Sequence, residues 1–267
     1  MTRIALVDAF ASRPFEGNPA AVCLLDAPRG DEWMRGVASE TNAPATAFVR
    51  AADDGYALRW FTPRAELELC GHGTLAGAHV LWESGALWPD APARFHTKRG
   101  LLTAVRRDGW IDLDFPALVD EPIDPPDGLA EALGATPLYV GRGRLDVVVE
   151  VDGGAVARLR PDVERLRRVD ARGIIVTGRG PGGGVDFVSR FFAPSVGIDE
   201  DAVTGSAHCC LAPFWARRLG TSRLVGRQLS ARGGTVRVAV DGDRVRLGGQ
   251  AVTVFRGEIT SACSASR

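Results

Sequence analysis

The sequence predicts an α+β fold of two pseudo-symmetric lobes, each with strands wrapped around a central helix. Three observations carry that expectation. Strand signals outnumber helix signals. One segment recurs about half a chain apart. Each copy of it runs from a strand-like stretch, stopped by proline, through a polar loop into a helix-like stretch. The first copy reads RWFTP over Arg59–Pro63 and LCGHGTLA over Leu69–Ala76; the second reads RFFAP over Arg190–Pro194 and EDAVTGSAH over Glu200–His208. Gly71 and Gly205 stand 134 residues apart in a chain of 267. Each helix-like stretch stops at a glycine suited to a C-cap, Gly85 or Gly220. Arg99-Gly100 with Asp108-Gly109 is echoed by Arg232-Gly233 with Asp241-Gly242.

In chain order, Ile4–Phe10, Ala20–Leu25 and Leu58–Phe61 read as strands. Leu101–Arg106 and Trp110–Phe115 flank Asp108-Gly109, a hairpin signal. Asp31–Thr41 reads as a helix with Asp31 as N-cap and Trp33, Met34, Val37 and Ala38 on one face. Thr74–Glu83 and Ala207–Leu219 are the two central helices, and a weaker helix runs over Val163–Arg168. The stretch Pro116–Pro126 reads as the linker, giving an N-terminal lobe over 1–120 and a C-terminal lobe over 121–267. In the second lobe, Asp146–Val151, Ile174–Thr177 and Asp186–Phe192 are strands. Val236–Val240 and Arg244–Leu247 flank a second hairpin turn. Gly178–Gly184 lacks the Lys-Ser/Thr ending of a phosphate loop and reads as a flexible turn.

Composition narrows the function classes. A hydrophobic content of 45% and a charged content of 24% are ordinary for a folded protein. A net charge of -1 gives no global field toward nucleic acid or an anionic membrane, so neither is expected as a partner. No apolar run approaches the roughly 20 residues of a membrane span. Met1, Thr2 and Arg3 lead straight into a strand-like run, unlike a secretory signal. The five cysteines form no zinc motif and cannot all pair, which points to reduced thiols in a cytoplasm. His79, His96 and His208 have no metal-ligand spacing.

The chemistry concentrates where the two central helices begin. Helix N-termini carry unpaired N–H groups and a positive dipole end, and small residues let a ligand approach the backbone. Gly71, His72, Gly73 and Thr74 in one copy fit that description, as do Thr204, Gly205, Ser206 and Ala207 in the other. Such amides hold a carboxylate without an arginine. The blander reading is that the glycines only permit tight strand-to-helix turns; two matching turns in a repeat favour a site. His72 titrates in a range suited to proton exchange near neutrality. Ser206 occupies in the second copy the place of His72 in the first, as a hydrogen-bond donor to substrate. Glu200 and Asp201 also suit charge near a helix N-terminus.

These residues resemble the PhzF family, named for the phenazine-biosynthesis isomerase, with the diaminopimelate-epimerase fold. The matching pieces are VDAF over Val7–Phe10, GNPAAV over Gly17–Val22, FTP over Phe61–Pro63, CGHGTLA over Cys70–Ala76 and EDAVTGSA over Glu200–Ala207. They run in family order over nearly the whole chain. The resemblance implies two lobes facing across a cleft, often in a homodimer. It implies proton movement in a small carboxylate-bearing metabolite, with no cofactor and no metal. It also implies that Asp201 faces the cleft and bonds His72 or the substrate, and that Asn18, Gly71, Gly73, Thr74, Thr204, Gly205 and Ser206 are candidate substrate contacts. Asp8, and Asn18 as well, also read as structural or rim positions.

One departure matters as much as the match. The family has Asn-x-Ser-Glu-Thr-x-Phe, whose Glu is its principal acid/base. Here the stretch is Asn42, Ala43, Pro44, Ala45, Thr46, Ala47 and Phe48, so Ala45 stands at the catalytic position and cannot transfer a proton. Glu40, in Ser39-Glu40-Thr41, is five residues out of register and reads as a helix-end residue. The expected function is therefore a cofactor-independent isomerase that moves a proton and a double bond, with His72 and Asp201 as proton carriers. The alternative is a silent or inactivated member that binds a carboxylated metabolite. A third reading is a different chemistry whose substrate fills the space left by Ala45. A two-thiol epimerase fits poorly: Cys70 matches one thiol, but Thr204 stands where the second would be, and Cys209 and Cys210 lie further along the helix.

Overall fold

A computed structural model describes residues 1–260. The first half of the chain runs β1 (Thr2–Ala9), β2 (Asn18–Leu25), α1 (Asp31–Thr41), β3 (Ala45–Ala52), β4 (Gly55–Phe61), β5 (Glu66–Leu67), α2 (Gly71–Glu83), β6 (Ala93–Thr97), β7 (Gly100–Arg107) and β8 (Trp110–Pro116). The second half runs β9 (Glu121–Pro122), α3 (Leu129–Leu133), β10 (Tyr139–Arg142), β11 (Asp146–Glu150), α4 (Gly153–Val156), α5 (Val163–Leu166), β12 (Gly173–Gly182), β13 (Val185–Ala193), β14 (Ile198–Asp201), α6 (Gly205–Leu219), β15 (Arg223–Gln228), β16 (Gly234–Asp241), β17 (Arg244–Gly249) and β18 (Ala251–Ile259). A 3-10 turn over Pro194–Val196 precedes β14.

By contacts the chain forms two compact units: Met1–Asp114 with the segment from Gly248 onward, and Phe115–Leu247. The lobe limits expected at 120 and 121 from the proline-rich stretch differ from these. Glu121–Pro122 already pairs with β10, and Asp120 is buried under Tyr139 and Arg217. At the other end β18 returns to pair antiparallel with β1, from Thr2↔Ile259 to Ala9↔Ala251. A strand with an apolar face is stabilised only where a partner edge is open, and for β18 that edge belongs to the first strand.

Each unit repeats one scheme. Parallel neighbours need a crossover between them. In the first unit α1 links the parallel pair β2 and β3, and α2 lies between the parallel pair β4 and β6. In the second, α4 and α5 lie between β11 and β12, and α6 lies between β13 and β15. Helices apolar on nearly all sides belong inside. Accordingly α2 buries Gly73–Ala78 and Val80–Trp82, and α6 buries Ala207–Trp215. Cys23, Met34, Val37, Ala38, Phe48 and Phe61 form a core on the α1 side of the first unit. A core built from Val147, Val149, Ile174, Val176, Val188 and Phe192 fills the second.

Several local expectations change. Asp31 is not the N-cap of α1; Gly30 holds that place without a side-chain cap, and Asp31 instead accepts from Arg59 Nη2 at 2.8 Å. Both central helices begin earlier than expected, at their glycines. Gly220 is a left-handed C-cap as expected, whereas α2 ends at Glu83, two residues before Gly85, with Ser84 as C-cap. The glycine-rich stretch is not a loose turn, since Gly178–Gly182 continues β12 and only the next two glycines turn the chain. Pro213 sits inside α6, where its missing N–H would leave the Cys209 carbonyl unpaired. Leu118 N–H donates to that carbonyl at 3.1 Å instead.

Candidate active site

The two helix starts are built alike. Arg59 forks onto Glu66, Nε to Oε1 and Nη2 to Oε2, each at 2.8 Å, while its guanidinium lies 5.0 Å from the Phe61 ring centroid. Arg190 forks onto Glu200 at 2.7 and 2.8 Å and lies 4.9 Å from the Phe192 centroid. Each glutamate stands five residues before the first glycine of its helix. A planar guanidinium matches a carboxylate at two points and stacks on an aromatic face, so each loop is anchored the same way. The Arg59 hydrogen bonds, helped by Lys98, hold the Glu66 carboxyl down at about 2 despite partial burial. Glu200 is thereby committed to Arg190 rather than to the helix end.

The N-caps are Cys70 and Thr204, both extended, and neither caps its helix with a side-chain bond. No acidic residue occupies either first turn. Four residues on, about one helical turn, the repeat persists in chemistry. Thr74 Oγ1 donates to the Cys70 carbonyl at 2.7 Å, and His208 Nδ1 bonds the Thr204 carbonyl at 2.9 Å. A carbonyl only accepts, so Nδ1 carries the hydrogen and His208 is the Nδ1–H tautomer. Thr74 is fully buried and its hydroxyl hydrogen is spent inward, so it supports the turn and does not point outward.

In the first unit His72 is half-buried, and the Cys70 sulfur lies 3.6 and 3.7 Å from its two ring nitrogens. Near-equal distances place the sulfur against the ring and not on a directed bond to one nitrogen. Gly73 is fixed by packing: a Cβ there would lie 2.8 Å from Trp60 Cδ1 and 3.0 Å from Cys70 Sγ. Ala45 opens β3 opposite Ala20 and has no exposure. Glu40 is exposed on α1. Asn18 is buried at the start of β2, and the buried Asp8 Oδ2 accepts from Phe15 N–H at 2.7 Å.

In the second unit Thr204 Oγ1 donates to Asp201 Oδ2 at 2.6 Å. The fully buried Gln228 ties this loop down. Its Oε1 accepts from Thr204 N–H at 2.9 Å, and its Nε2 donates to the Asp201 carbonyl at 2.8 Å and to Thr204 Oγ1 at 3.3 Å. Sequence reading missed Gln228, which lies 24 residues from Thr204 and carries no motif of its own. It also missed Arg172, whose Nη2 reaches Ser206 Oγ at 3.0 Å. Gly205 and Ser206 are half-buried at the mouth of this turn.

Burial pushes the thiols of Cys23 and Cys210 up to about 12, so neither is a thiolate near neutrality. Cys263 lies outside the described residues. Among the described residues no group of three or more His, Cys, Asp or Glu could hold a metal ion. None of the described helices is long and apolar enough to cross a membrane.

A family model for phenazine biosynthesis-like proteins, PhzC-PhzF, matches residues 7–257. The chain belongs to the PhzC-PhzF family. An uncharacterized isomerase of Halalkalibacterium halodurans is 49% identical over 262 residues, covering 97% of this chain and 98% of that protein. The crystal structure of a PhzF family protein from Enterococcus faecalis superposes with a TM-score of 0.93 at 39% identity, covering 97% of this chain and 99% of the other. A probable proline racemase of Agrobacterium radiobacter shares the fold alone, at a TM-score of 0.64 and 13% identity. The PhzC-PhzF membership and these structures establish the α+β fold expected from the strand and helix signals and its epimerase-like form expected from the family resemblance.

His208 should make this PhzC-PhzF chain acid-sensitive. Burial lowers its pKa from 6.5 to about 4. The unfolded chain therefore takes up a proton below pH 6.5 that the folded chain refuses until about 4, so stability falls as pH drops through that window. A shift of this size is worth about 3 kcal/mol at most. His79 is also lowered, mainly by burial, and adds to the same trend. His208→Asn keeps a donor for the Thr204 carbonyl and removes the titration. Denaturant midpoints from pH 4 to 7 should then fall less steeply, by about one proton in the slope. Equal slopes in the two proteins would rule out His208 as the source.

Proposed function

We propose that this protein is a cofactor-independent isomerase acting on a small, carboxylate-bearing, amino-acid-like metabolite. A proton leaves one carbon and returns at another, shifting a double bond. His72 and Asp201 carry the proton. Ser206 and the amides at Gly71, Gly73 and Gly205 hold the carboxylate. The observation that carries the reading is the repeated helix start: both are anchored by a stacked Arg–Glu fork, both open on glycine, and neither has a side-chain cap or an acidic residue within its first turn. An uncapped helix N-terminus with no carboxylate in its first turn suits an anion from outside. The isomerase name of its relatives supports the reaction class. A cytoplasmic homodimer is the setting this reading assigns.

Ala45 favours a second reading, in which the chain binds the carboxylated metabolite without turnover. One experiment separates the two. Solvent deuterium incorporation is followed by NMR with dihydro-hydroxyanthranilate and a panel of unsaturated cyclic amino acids. Exchange by the protein as it stands, reduced about 10²–10⁴-fold in His72→Ala or Asp201→Ala, is the expected result. Exchange that appears only in Ala45→Glu would establish the binding-only reading. Ala45 is fully buried, so the folded state of Ala45→Glu is checked by its thermal midpoint.

A further inference from the structure

Arg172 precedes β12 and is bound on one side by Asp146, which is almost fully buried. Nε donates to Asp146 Oδ1 at 2.8 Å and Nη2 to Oδ2 at 2.5 Å. The guanidinium carbon lies 5.7 Å from the Phe191 ring centroid. Two parallel bonds and a stacked ring fix the plane of the group. From that fixed plane Nη2 also reaches Ser206 Oγ at 3.0 Å, at the start of α6.

Donor and acceptor counting then decides what Ser206 can do. A guanidinium has donors only, so Ser206 Oγ accepts from Arg172. A hydroxyl has one hydrogen, and among the described residues no acceptor takes that of Ser206. With its lone pair engaged toward Arg172, the hydroxyl offers its hydrogen outward beside the uncapped amides of α6. The Ser206 hydroxyl and the first amides of α6 are all donors, which match a carboxylate oxygen. Asp146 offsets the charge of Arg172, so the pair contributes orientation more than field.

We infer that Arg172 is a positioning residue that sets the Ser206 hydroxyl as a donor to the carboxylate of the ligand. This rests on the proposed function, and deepens it by naming the residue that orients one of the groups on that carboxylate. The test is a double-mutant cycle on the full chain. Calorimetric affinities are measured for cyclohex-1-ene-1-carboxylate and its neutral primary amide, using the unmodified protein, Arg172→Lys, Ser206→Ala and the double variant. Lysine keeps an ion pair with Asp146 but has no planar fork to reach both partners. Thermal midpoints of all four proteins verify folding.

The expected result is preference for the carboxylate, weakened about tenfold by either single change, as for a lost hydrogen bond to a charged group. The double variant should be no weaker than Ser206→Ala alone, because Arg172 acts through Ser206. Additive losses, or no loss in Arg172→Lys while Ser206→Ala still weakens binding, overturn the inference and leave the proposed function standing. Equal affinity for carboxylate and amide in the unmodified protein, or no binding of either, overturns both.

Discussion

Gln228→Leu should destabilise the protein by about 3 kcal/mol and loosen the start of α6. Gln228 has no exposure, and its amide serves Thr204 N–H, the Asp201 carbonyl and Thr204 Oγ1 at once. Leucine matches its shape but removes the acceptor of the buried Thr204 N–H, an orphaned group costing about 1–3 kcal/mol, and takes one donor from the part-buried Asp201 carbonyl. The loss should appear as a lower urea midpoint with an unchanged slope. Thr204 also orients Asp201, so deuterium exchange should fall together with stability. A midpoint shift worth under about 1 kcal/mol would mean that other contacts hold the loop. Gln228→Glu is the companion variant. A carboxylate there has no hydrogen to give, so its deficit should shrink at low pH, where the side chain regains a donor.

Gly178→Ala should cost about 3 kcal/mol, the upper end for overpacking, because the collision is with backbone. A Cβ on Gly178 would lie 2.6 Å from Gly153 Cα and 2.8 Å from the Val151 carbonyl oxygen. The reciprocal Cβ on Gly153 would lie 2.0 Å from the Arg179 carbonyl oxygen. Neither neighbour can rotate aside as a side chain would. Gly183→Asn, at the open turn where the added Cβ meets nothing within 4 Å, is the control and should cost less than about 1 kcal/mol. Thermal unfolding of both variants checks the contrast. Equal midpoints for Gly178→Ala and the unmodified protein would mean that α4 shifts away from β12 at no cost.

The repeated segment made the two lobes and both helix starts legible before any coordinates. Proline stops, glycine turns and apolar runs are local signals, and they placed α1, α2, α6 and both Asp-Gly hairpins to within a few residues. What stayed hidden depends on distant partners. Asp31 is a good N-cap by type, yet Arg59, 28 residues away, holds it. Glycines in a row suggest looseness, but Gly178 is required because another backbone passes against it. Arg172 and Gln228 lie 34 and 24 residues from the hydroxyls they hold, and nothing in their immediate neighbours marks them. Ala45 was visible as an absence in a motif; its complete burial required the structure.

The return of β18 to β1 sets an order of events during synthesis. All of the second unit lies within Phe115–Leu247, so its strands can find one another without the closing strand β18. The first unit begins with β1 but is incomplete until β18 emerges from the ribosome. For most of translation β1 therefore has one edge with nothing to bond, which is a template for intermolecular pairing. A truncated chain ending at Leu247 and released from the ribosome should bury its second unit while the first remains a substrate for chaperones and proteases.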